Sequence, residues 1–188
     1  MVSGARAWWE EVERLDVACY AAIASTPTPR LDRAMSRLSR AADYSKLNLT
    51  AAAGLALFGG AEGRRAAVAG LASIAVTATV VNVAVKPLAR RRRPDRLLHE
   101  VPIARHVPMP SSQSFPSGHS AAAFAFAGGA GSVLPAVSLP LHALAGVVAY
   151  SRVHTGVHYP LDAIAGSLLG AALSPAVPYG LHRTKKNS

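Results

Sequence analysis

Long uncharged runs alternate with short polar segments along this chain of 188 residues. Residues 47–61, 66–85, 120–150 and 163–182 contain no Asp, Glu, Lys or Arg. The second and fourth runs are each about 20 residues long, which is the length of a helix that crosses a bilayer. Ala, Gly, Ser and Thr are frequent in these runs, and small residues let helices pack closely in lipid. The pattern predicts an all-α fold, a polytopic helical bundle in a membrane.

A buried helical bundle in water is the alternative interpretation of the same runs. Charged residues make up 16% of the chain, whereas about 25% is usual in soluble domains. Four or five apolar helices would leave little polar surface to face water. We therefore favour the membrane bundle.

The N-terminal part, residues 1–45, is predicted to be a separate amphipathic segment. Apolar side chains recur there at helical spacing, and arginines share the other side of the same helix. This pattern is typical of a helix on a membrane surface, and it also fits an ordinary surface helix whose charges face water. The apolar positions are Leu31, Ala34, Met35 and Leu38, and the arginines are Arg33, Arg37 and Arg40.

Three cations in separate polar clusters are the first candidates for chemistry. Lys86 and Arg93 follow the run 66–85, and Arg152 follows the run 120–150. Like charges that meet in a fold repel one another unless an anion lies between them. A phosphate group fits this role, because the planar guanidinium fork matches phosphate oxygens. The net charge of +10 also favours an anionic partner.

The second polar cluster is the sequence "PSGH", which ends at His119. The backbone at Ser117 and Gly118 can turn its N–H groups toward an anion. The apolar run that follows predicts a helix, and a helix N-terminus attracts negative charge. His119 would then stand at the edge of a phosphate site.

The third cluster pairs a histidine with a carboxylate. His158 and Asp162 are four residues apart, so at the start of a helix the carboxylate can reach the imidazole. A carboxylate on one ring nitrogen leaves the other nitrogen free as a nucleophile. Pro160 suits the first turn of such a helix.

A metal site is the alternative for the same cluster. His154, His158 and Asp162 have the spacing of ligands on one helical face. Gly156 and Pro160 argue against one continuous helix through these positions, and the nearby cations would repel a metal ion. We therefore predict no metal and no cofactor.

The basic run "ARRRRPDR" has two predicted roles. Arg90, Arg91 and Arg92 anchor a helix end at the membrane interface, while Arg93 binds substrate. Nucleic acid is excluded as a partner, because no aromatic residues are interleaved with the basic ones.

Together the three clusters resemble the signature of the type 2 phosphatidic acid phosphatase superfamily. "KPLARRRRP" matches Lys-x6-Arg-Pro, "PSGH" matches Pro-Ser-Gly-His, and "SRVHTGVHYPLD" matches Ser-Arg-x5-His-x3-Asp. That superfamily includes lipid phosphatases and, on a related fold, vanadium haloperoxidases. The resemblance covers residues 46–182, the expected phosphatase domain, and residues 183–188 form a basic tail.

The resemblance implies a metal-independent mechanism. His158 would attack phosphorus and form a phosphohistidine, Asp162 would hold and polarise His158, and His119 would protonate the leaving oxygen and then activate water. The groups expected to bind the phosphoryl oxygens are Lys86, Arg93, Ser117, Gly118 and Arg152.

The implied substrate is a lipid phosphate monoester or diphosphate, either polyprenyl-linked or a glycerolipid. The Ala- and Arg-rich composition is typical of high-GC bacteria, where similar proteins serve cell-envelope biosynthesis. A vanadate-dependent haloperoxidase is one alternative, and the membrane runs argue against it. A non-catalytic lipid-binding or transport protein is another, and the intact His119, His158 and Asp162 argue against it.

The motifs also predict the topology. All three clusters must meet on one membrane face, so the run 120–150 must form a hairpin with its turn near "LPAVSLP". A further turn is expected at "EGRR", residues 62–65, which gives about five membrane helices in a multi-pass protein of the cell membrane. Apart from the three phosphate-binding cations, twelve Lys and Arg lie on the active face and five on the other. The positive-inside rule then points the site toward the cytoplasm.

Overall fold

The computed structural model describes residues 2–174, and every regular element in that range is helical. The predicted all-α fold is confirmed. The predicted tail 183–188 and the end of the last apolar run, 175–182, lie outside the described residues. The helices are α1 (Val2–Ser25), α2 (Pro29–Ala41), α3 (Lys46–Phe58), α4 (Gly60–Thr79), α5 (Lys86–Ala89), α6 (Gly118–Val133), α7 (Ser138–His154) and α8 (Pro160–Leu173). A π-helical stretch, Val80–Val85, joins α4 to α5.

Helix α6 lies at the centre of the bundle and packs against α4, α7 and α8. Its inward positions are almost all Ala, Gly or Ser, which allows neighbouring backbones to approach closely. A Cβ atom added at Gly166 of α8 would lie 2.3 Å from the carbonyl oxygen of Ser117, and one at Gly170 would lie 2.2 Å from that of Ala121. Because glycine has no Cβ atom, Gly166 and Gly170 let α8 lie directly beside the first turns of α6.

Helix α6 runs antiparallel to α7 and parallel to α8, so several turns meet at one end. The predicted hairpin is present: α6 and α7 are joined by a short turn at Pro135–Val137. Helices α3 and α4 form a second antiparallel pair. The α2–α3 turn, the end of α5, the start of α6 and the α7–α8 turn therefore lie together, and we call this the site end of the bundle.

The turn between α3 and α4 lies earlier than predicted. The chain reverses at Gly59 and Gly60, and "EGRR" belongs to the beginning of α4 rather than to a turn. Gly60 has φ +60°, a left-handed conformation that glycine adopts without steric cost. Glu62 in the first helical turn is favoured by the helix dipole.

Helix α2 is present, and its predicted inward face is partly correct: Met35 is buried, and the three arginines Arg33, Arg37 and Arg40 are exposed as predicted. Leu31 and Ala34, which were predicted on its apolar face, are exposed. Asp32, Ser36 and Ser39 are buried instead. The reason is that α2 packs on α7 near its polar end, where these side chains find hydrogen-bonding partners that offset the cost of burial.

Two helices within residues 2–174 are long and apolar enough to cross a membrane. They are Gly60–Ala89, which combines α4, the π-helical stretch and α5, and Pro135–His154, which contains α7. Helices α3, α6 and α8 are shorter. By length and composition, these two helices meet the requirement for membrane spans.

Candidate active site

The structure places all the predicted site residues at the site end. Each motif contributes from a different element, so the residues meet only through the packing of the bundle. Lys86 begins α5, Arg93 follows α5, Ser117 caps α6, Gly118 and His119 begin α6, Arg152 lies in the last turn of α7, His158 lies in the α7–α8 turn, and Asp162 lies in the first turn of α8.

The two nitrogens of the His158 ring have different surroundings. Nε2 lies 3.1 Å from Nη1 of Arg93. A guanidinium group only donates hydrogen bonds, so Nε2 must accept this one. The proton of the neutral ring then lies on Nδ1, which faces Oγ of Ser114 at 3.4 Å and Oδ2 of Asp162 at 3.5 Å. Nε2 therefore carries the lone pair that a nucleophile requires, and in this structure that lone pair accepts the hydrogen bond from Arg93.

Burial keeps the His158 ring neutral. The side chain is 1% exposed, and this burial lowers the pKa of His158 to about 4, although the neighbouring Asp162 acts in the opposite direction. The positive charges of Arg93 and Arg152 lower the pKa further. The ring is therefore unprotonated at neutral pH, as nucleophilic attack demands.

Asp162 is completely buried, and both of its carboxylate oxygens are hydrogen-bonded. Oδ2 accepts from Oγ of Ser114 at 2.5 Å and from the backbone N–H of Tyr159 at 3.0 Å. Oδ1 accepts from Nη1 of Arg91 at 2.8 Å. The bond to Tyr159 caps the N-terminus of α8, so the local helix geometry fixes the carboxylate that faces His158.

Arg91 has a different role from the one predicted. It was expected to anchor a helix end, but its guanidinium bridges Asp162 and Asp16 of α1, with 2.7 Å to the latter, and stacks over the ring of Tyr159. Burial alone would lower the pKa of Arg91, but the two carboxylates have the larger combined effect, and the pKa of Arg91 is raised. Asp16 also accepts from the backbone N–H of Leu161. Helix α1 is thus tied to the catalytic region.

The start of α6 lies against α8 on one side and beside Lys86 on the other. The hydroxyl of Ser117 accepts from Ser120, and the backbone N–H of Ser117 donates to the carbonyl of Asp162 at 2.9 Å. That N–H, which was predicted to face phosphate, therefore joins α6 to α8. Gly118 lies beside Lys86: a Cβ atom added at Gly118 would be 3.7 Å from Nζ.

Arg152 is fully buried and only partly satisfied. Its Nη1 donates to Oγ of Ser39 at 2.6 Å, to the carbonyl of Ser39 at 3.1 Å and to Oδ1 of Asp43 at 3.3 Å. Its Nε and Nη2 have no hydrogen-bonding partner among the residues that the structure describes. Buried donors without a partner are energetically costly, so this guanidinium is suited to receive an anion.

Lys86 and Arg93 are linked through the loop before α6. Nζ of Lys86 donates to Oγ of Ser112 at 3.3 Å, and Nη2 of Arg93 donates to the same hydroxyl at 3.2 Å. Arg93 also donates to the backbone carbonyls of Ser112 and Val157. These bonds bring two cations from different elements to one place.

The alternative metal ligands do not converge. Nε2 of His154 lies 2.9 Å from Oδ1 of Asp32, and its Nδ1 faces the hydroxyl of Tyr150. His158 instead faces Asp162. Within residues 2–174, no three His, Cys, Asp or Glu side chains are grouped as metal ligands.

Four residues that contact the site were not singled out by the sequence analysis. Ser114 lies in a loop rich in serine, and the other three lie in the N-terminal segment, where no motif marks them. Their importance follows from the turns that bring them inward. They are Asp16, Ser39, Asp43 and Ser114.

Comparison with known proteins identifies the family that this fold and site define. The PAP2 superfamily matches residues 66–186, which is most of the chain. The chain therefore belongs to the PAP2 superfamily, and the resemblance drawn from the three motifs is confirmed.

Among characterised relatives, the decaprenylphosphoryl-5-phosphoribose phosphatase of Mycobacterium tuberculosis is 40% identical over 119 residues. The match covers 60% of this chain and 62% of that protein, so less than two thirds of the relative is represented. An undecaprenyl-diphosphatase of Sulfolobus acidocaldarius is 44% identical over 71 residues, or 36% of this chain and 33% of that protein.

Solved structures have the same fold. A transmembrane PAP2-type phosphatidylglycerolphosphate phosphatase from Bacillus subtilis superimposes with a TM-score of 0.68 at 25% identity, over 92% of this chain and 87% of that chain. Aquifex aeolicus LpxE superimposes with a TM-score of 0.66 at 24% identity, over 88% and 95% respectively. The second match concerns the fold alone.

Proposed function

We propose that this chain is an integral membrane phosphatase that releases phosphate from a lipid through a phosphohistidine intermediate. The observation that carries the proposal is the arrangement around Arg152. Two of its buried nitrogens lack a partner among the described residues, and Lys86 and Arg93 lie at the same end of the bundle. A phosphoryl group would satisfy the donors and reduce the repulsion between the cations.

In the first proposed step, Nε2 of His158 forms a bond to phosphorus while the bond from phosphorus to the lipid oxygen breaks. The lone pair on Nε2 is available because the ring proton lies on Nδ1, beside Asp162. The leaving oxygen takes a proton from His119, and a general acid of this kind contributes about 10²–10⁴-fold to the rate.

In the second step, the oxygen of a water molecule bonds to phosphorus while the phosphorus–nitrogen bond breaks. His119, now neutral, accepts a proton from that water. Inorganic phosphate leaves, and both histidines return to their starting states. Stabilisation of the phosphoryl oxygens is assigned to Lys86, Arg93 and Arg152, to the backbone of Gly118, and to Ser117 through its placement of the α6 N-terminus.

The positive charge that the transition state requires comes from side chains in this scheme. One lysine and two arginines supply it at positions held by hydrogen bonds. We therefore propose that the reaction needs no metal ion and no organic cofactor.

A cavity at the site supports a lipid substrate. It has a volume of about 240 Å³ and includes Lys86, Gly118 and His119. From these groups it continues between α3, α4 and α6 along apolar side chains such as Leu47 and Ile74. A phosphate site that opens onto an apolar wall suits a phosphate carried by a hydrocarbon chain.

We propose a polyprenyl-linked phosphate as the substrate class, with glycerolipid phosphates as the alternative. Both characterised relatives described above are named for polyprenyl substrates. Decaprenylphosphoryl-5-phosphoribose is therefore the first compound to test, and a role in cell-envelope synthesis follows from that choice.

The proposed membrane arrangement has five spans: α3, α4 with α5, α6, α7 and α8. They form a phosphatase domain over residues 46–182, preceded by a membrane-surface segment, residues 1–45, and followed by a short basic tail, residues 183–188. The surplus of Lys and Arg at the site end favours a site that faces the cytoplasm.

Phosphate release from a lipid panel in detergent with EDTA tests the proposed function. The panel contains decaprenylphosphoryl-5-phosphoribose, undecaprenyl diphosphate, phosphatidate and phosphatidylglycerophosphate. The wild type is compared with His158→Ala and with the control His142→Ala, whose side chain bonds within the first turn of α7, away from the site.

Release that persists in EDTA, survives in His142→Ala and disappears in His158→Ala is the expected result. Release that is lost in EDTA and restored by a divalent ion would contradict the metal-independent scheme. Equal activity in both variants would remove His158 from the reaction.

A further inference from the structure

Asp43 is an acidic residue at the site that belongs to none of the three motifs. It lies in the short turn between α2 and α3. Its Oδ1 lies 3.1 Å from Nε2 of His119 and 3.3 Å from Nη1 of Arg152. One carboxylate oxygen thus contacts both the proposed general acid and a proposed phosphate-binding group.

The turn that carries Asp43 has an unusual backbone. Tyr44 and Ser45 both have φ +58°, a left-handed conformation that is unfavourable for residues other than glycine. The ring of Tyr44 is 87% exposed, so packing of that ring does not explain the conformation. These two residues turn the chain immediately after Asp43, whose carboxylate faces the site.

The contacts of Arg152 show that Asp43 does not take the place of a phosphoryl group. Asp43 and Ser39 both bind Nη1. Nε and Nη2 are the nitrogens without a partner among the described residues. Asp43 therefore fixes one end of the guanidinium and leaves the other two nitrogens for phosphoryl oxygens.

The charges around His119 are otherwise positive. Basic groups face it from α5, from the loop after α5, from α7 and from the α7–α8 turn, namely Lys86, Arg93, Arg152 and His158. Among the described residues, Asp43 is the carboxylate in direct contact with its ring. Those positive groups disfavour the protonated imidazole that a general acid must have, and the Asp43 carboxylate in contact with the ring opposes them.

We propose that Asp43 is a positioning residue that holds His119 in the orientation and protonation state of the general acid while it anchors Arg152. Its carboxylate accepts the Nε2–H of the imidazolium, so Nδ1–H is the proton that passes to the leaving oxygen as the bond from phosphorus to that oxygen breaks. Asp43 would thus orient the general acid His119, just as Asp162 orients the nucleophile His158. This inference rests on the proposed phosphatase function.

The test compares two phosphate esters that differ in their need for an acid. Decyl phosphate loses an alkoxide, which must be protonated, whereas 4-nitrophenyl phosphate loses a stable anion. The value of kcat/KM reports the steps up to the phosphohistidine, and this is where the leaving group departs. The variants are Asp43→Asn, which keeps a hydrogen-bond acceptor without the charge, and Asp43→Glu, which keeps the charge.

We expect Asp43→Asn to lower kcat/KM for decyl phosphate by about 10- to 100-fold and for 4-nitrophenyl phosphate by about threefold or less. We expect Asp43→Glu to recover part of the loss. The control Glu62→Gln, an exposed carboxyl at the beginning of α4, should match the wild type with both esters.

Equal losses with both esters would overturn the inference and make Asp43 a purely structural residue, and so would unchanged activity in Asp43→Asn. Failure of the proposed function has a different signature. In that case His158→Ala would hydrolyse both esters as well as the wild type does, or the wild type would hydrolyse neither, and the role of Asp43 in a general acid would be excluded with it.

Discussion

At the scale of single residues, the chemistry of the site depends on which nitrogen or oxygen atom of each side chain contacts which neighbour. His158 has one ring nitrogen beside a carboxylate and a hydroxyl, and the other beside the guanidinium of Arg93. Burial lowers the pKa of this ring to about 4. A histidine exposed to water would be about half protonated near pH 6.5.

The titration of His158 should therefore occur well below that of an exposed histidine. We expect its ring to remain neutral between pH 7 and pH 5, because burial penalises the charged form and a proton binds only at lower pH. Nitrogen-15 NMR of histidine-labelled protein in detergent measures this, with His158→Gln to assign the signal. A midpoint near 6.5 would show that water reaches the ring.

Arg91 gives a second prediction at this scale. Replacing it by Ala leaves Asp16 and Asp162 buried, close together and without their shared cation. Breaking a buried pair in this way costs about 3–5 kcal/mol, so Arg91→Ala should lower both the free energy of unfolding and kcat/KM. Thermal unfolding and lipid phosphate release measure the two effects.

The neighbours of Arg91 provide the control. Arg90 and Arg92 are exposed, so Arg90→Ala and Arg92→Ala should unfold within a few degrees of the wild type. If Arg91→Ala behaves like these two variants, the bridge from α1 to the site does not contribute to the free energy of unfolding.

At the scale of helices, the position of the site depends on small residues between α6 and α8. Gly166 and Gly170 let α8 approach the backbone of α6, and this approach sets the distance between Ser117 and Asp162. The bond from the Ser117 N–H to the Asp162 carbonyl joins the two motifs directly.

Substitution of Gly166 by Ala should thus be destabilising although alanine favours helices. The added methyl group would clash with the Ser117 carbonyl, and overpacking of this kind costs about 1–3 kcal/mol. Gly146→Ala in α7 is the matched control, because a Cβ atom there meets nothing within 4 Å. Thermal unfolding in detergent should show a lower midpoint for the first variant and an equal or higher one for the second.

The helices could be predicted from the sequence because long uncharged runs are local patterns. Uncharged runs of about 20 residues are typical of helices that cross a membrane, and the hairpin followed from the need to bring His119 and His158 to one face. The same approach failed for Arg91, because Arg90, Arg91 and Arg92 have identical side chains and only the path of the backbone decides which one points inward. Arg90 has φ +43°, and this bend is not encoded in any local pattern.

The prediction for the inward face of α2 was wrong at Leu31 and Ala34 for a related physical reason. Hydrophobic periodicity assumes that the apolar side of a helix is the buried side. Helix α2 instead buries Asp32 and Ser39 against Arg105, His154 and Arg152, which lie far away in sequence. Partners at such separations cannot be read from the pattern of one segment, and Asp43 escaped notice for the same reason.

At the scale of the whole molecule, the distribution of charge favours one orientation in the membrane. The loop between α5 and α6 and the N-terminal helices, which carry most of the Lys and Arg, belong to the site end. The opposite end carries the α6–α7 turn.

Thiol labelling can test this orientation, because the chain has a single cysteine. In a Cys19→Ser background, Leu98→Cys marks the site end and Ala136→Cys marks the α6–α7 turn, and both positions are exposed. A membrane-impermeant maleimide applied to intact cells should label the second and not the first. The reverse pattern would place the site outside the cytoplasm.

The shortness of α6 has a consequence for the surrounding bilayer. Its 16 residues extend about 24 Å, whereas the hydrocarbon core is about 30 Å thick. Such hydrophobic mismatch is relieved when lipids near the helix compress or when flanking polar groups are drawn inward. A locally thinned bilayer would shorten the path of a phosphate headgroup into the cavity, so the proposed phosphatase activity should be sensitive to the acyl-chain length of the membrane that contains the protein.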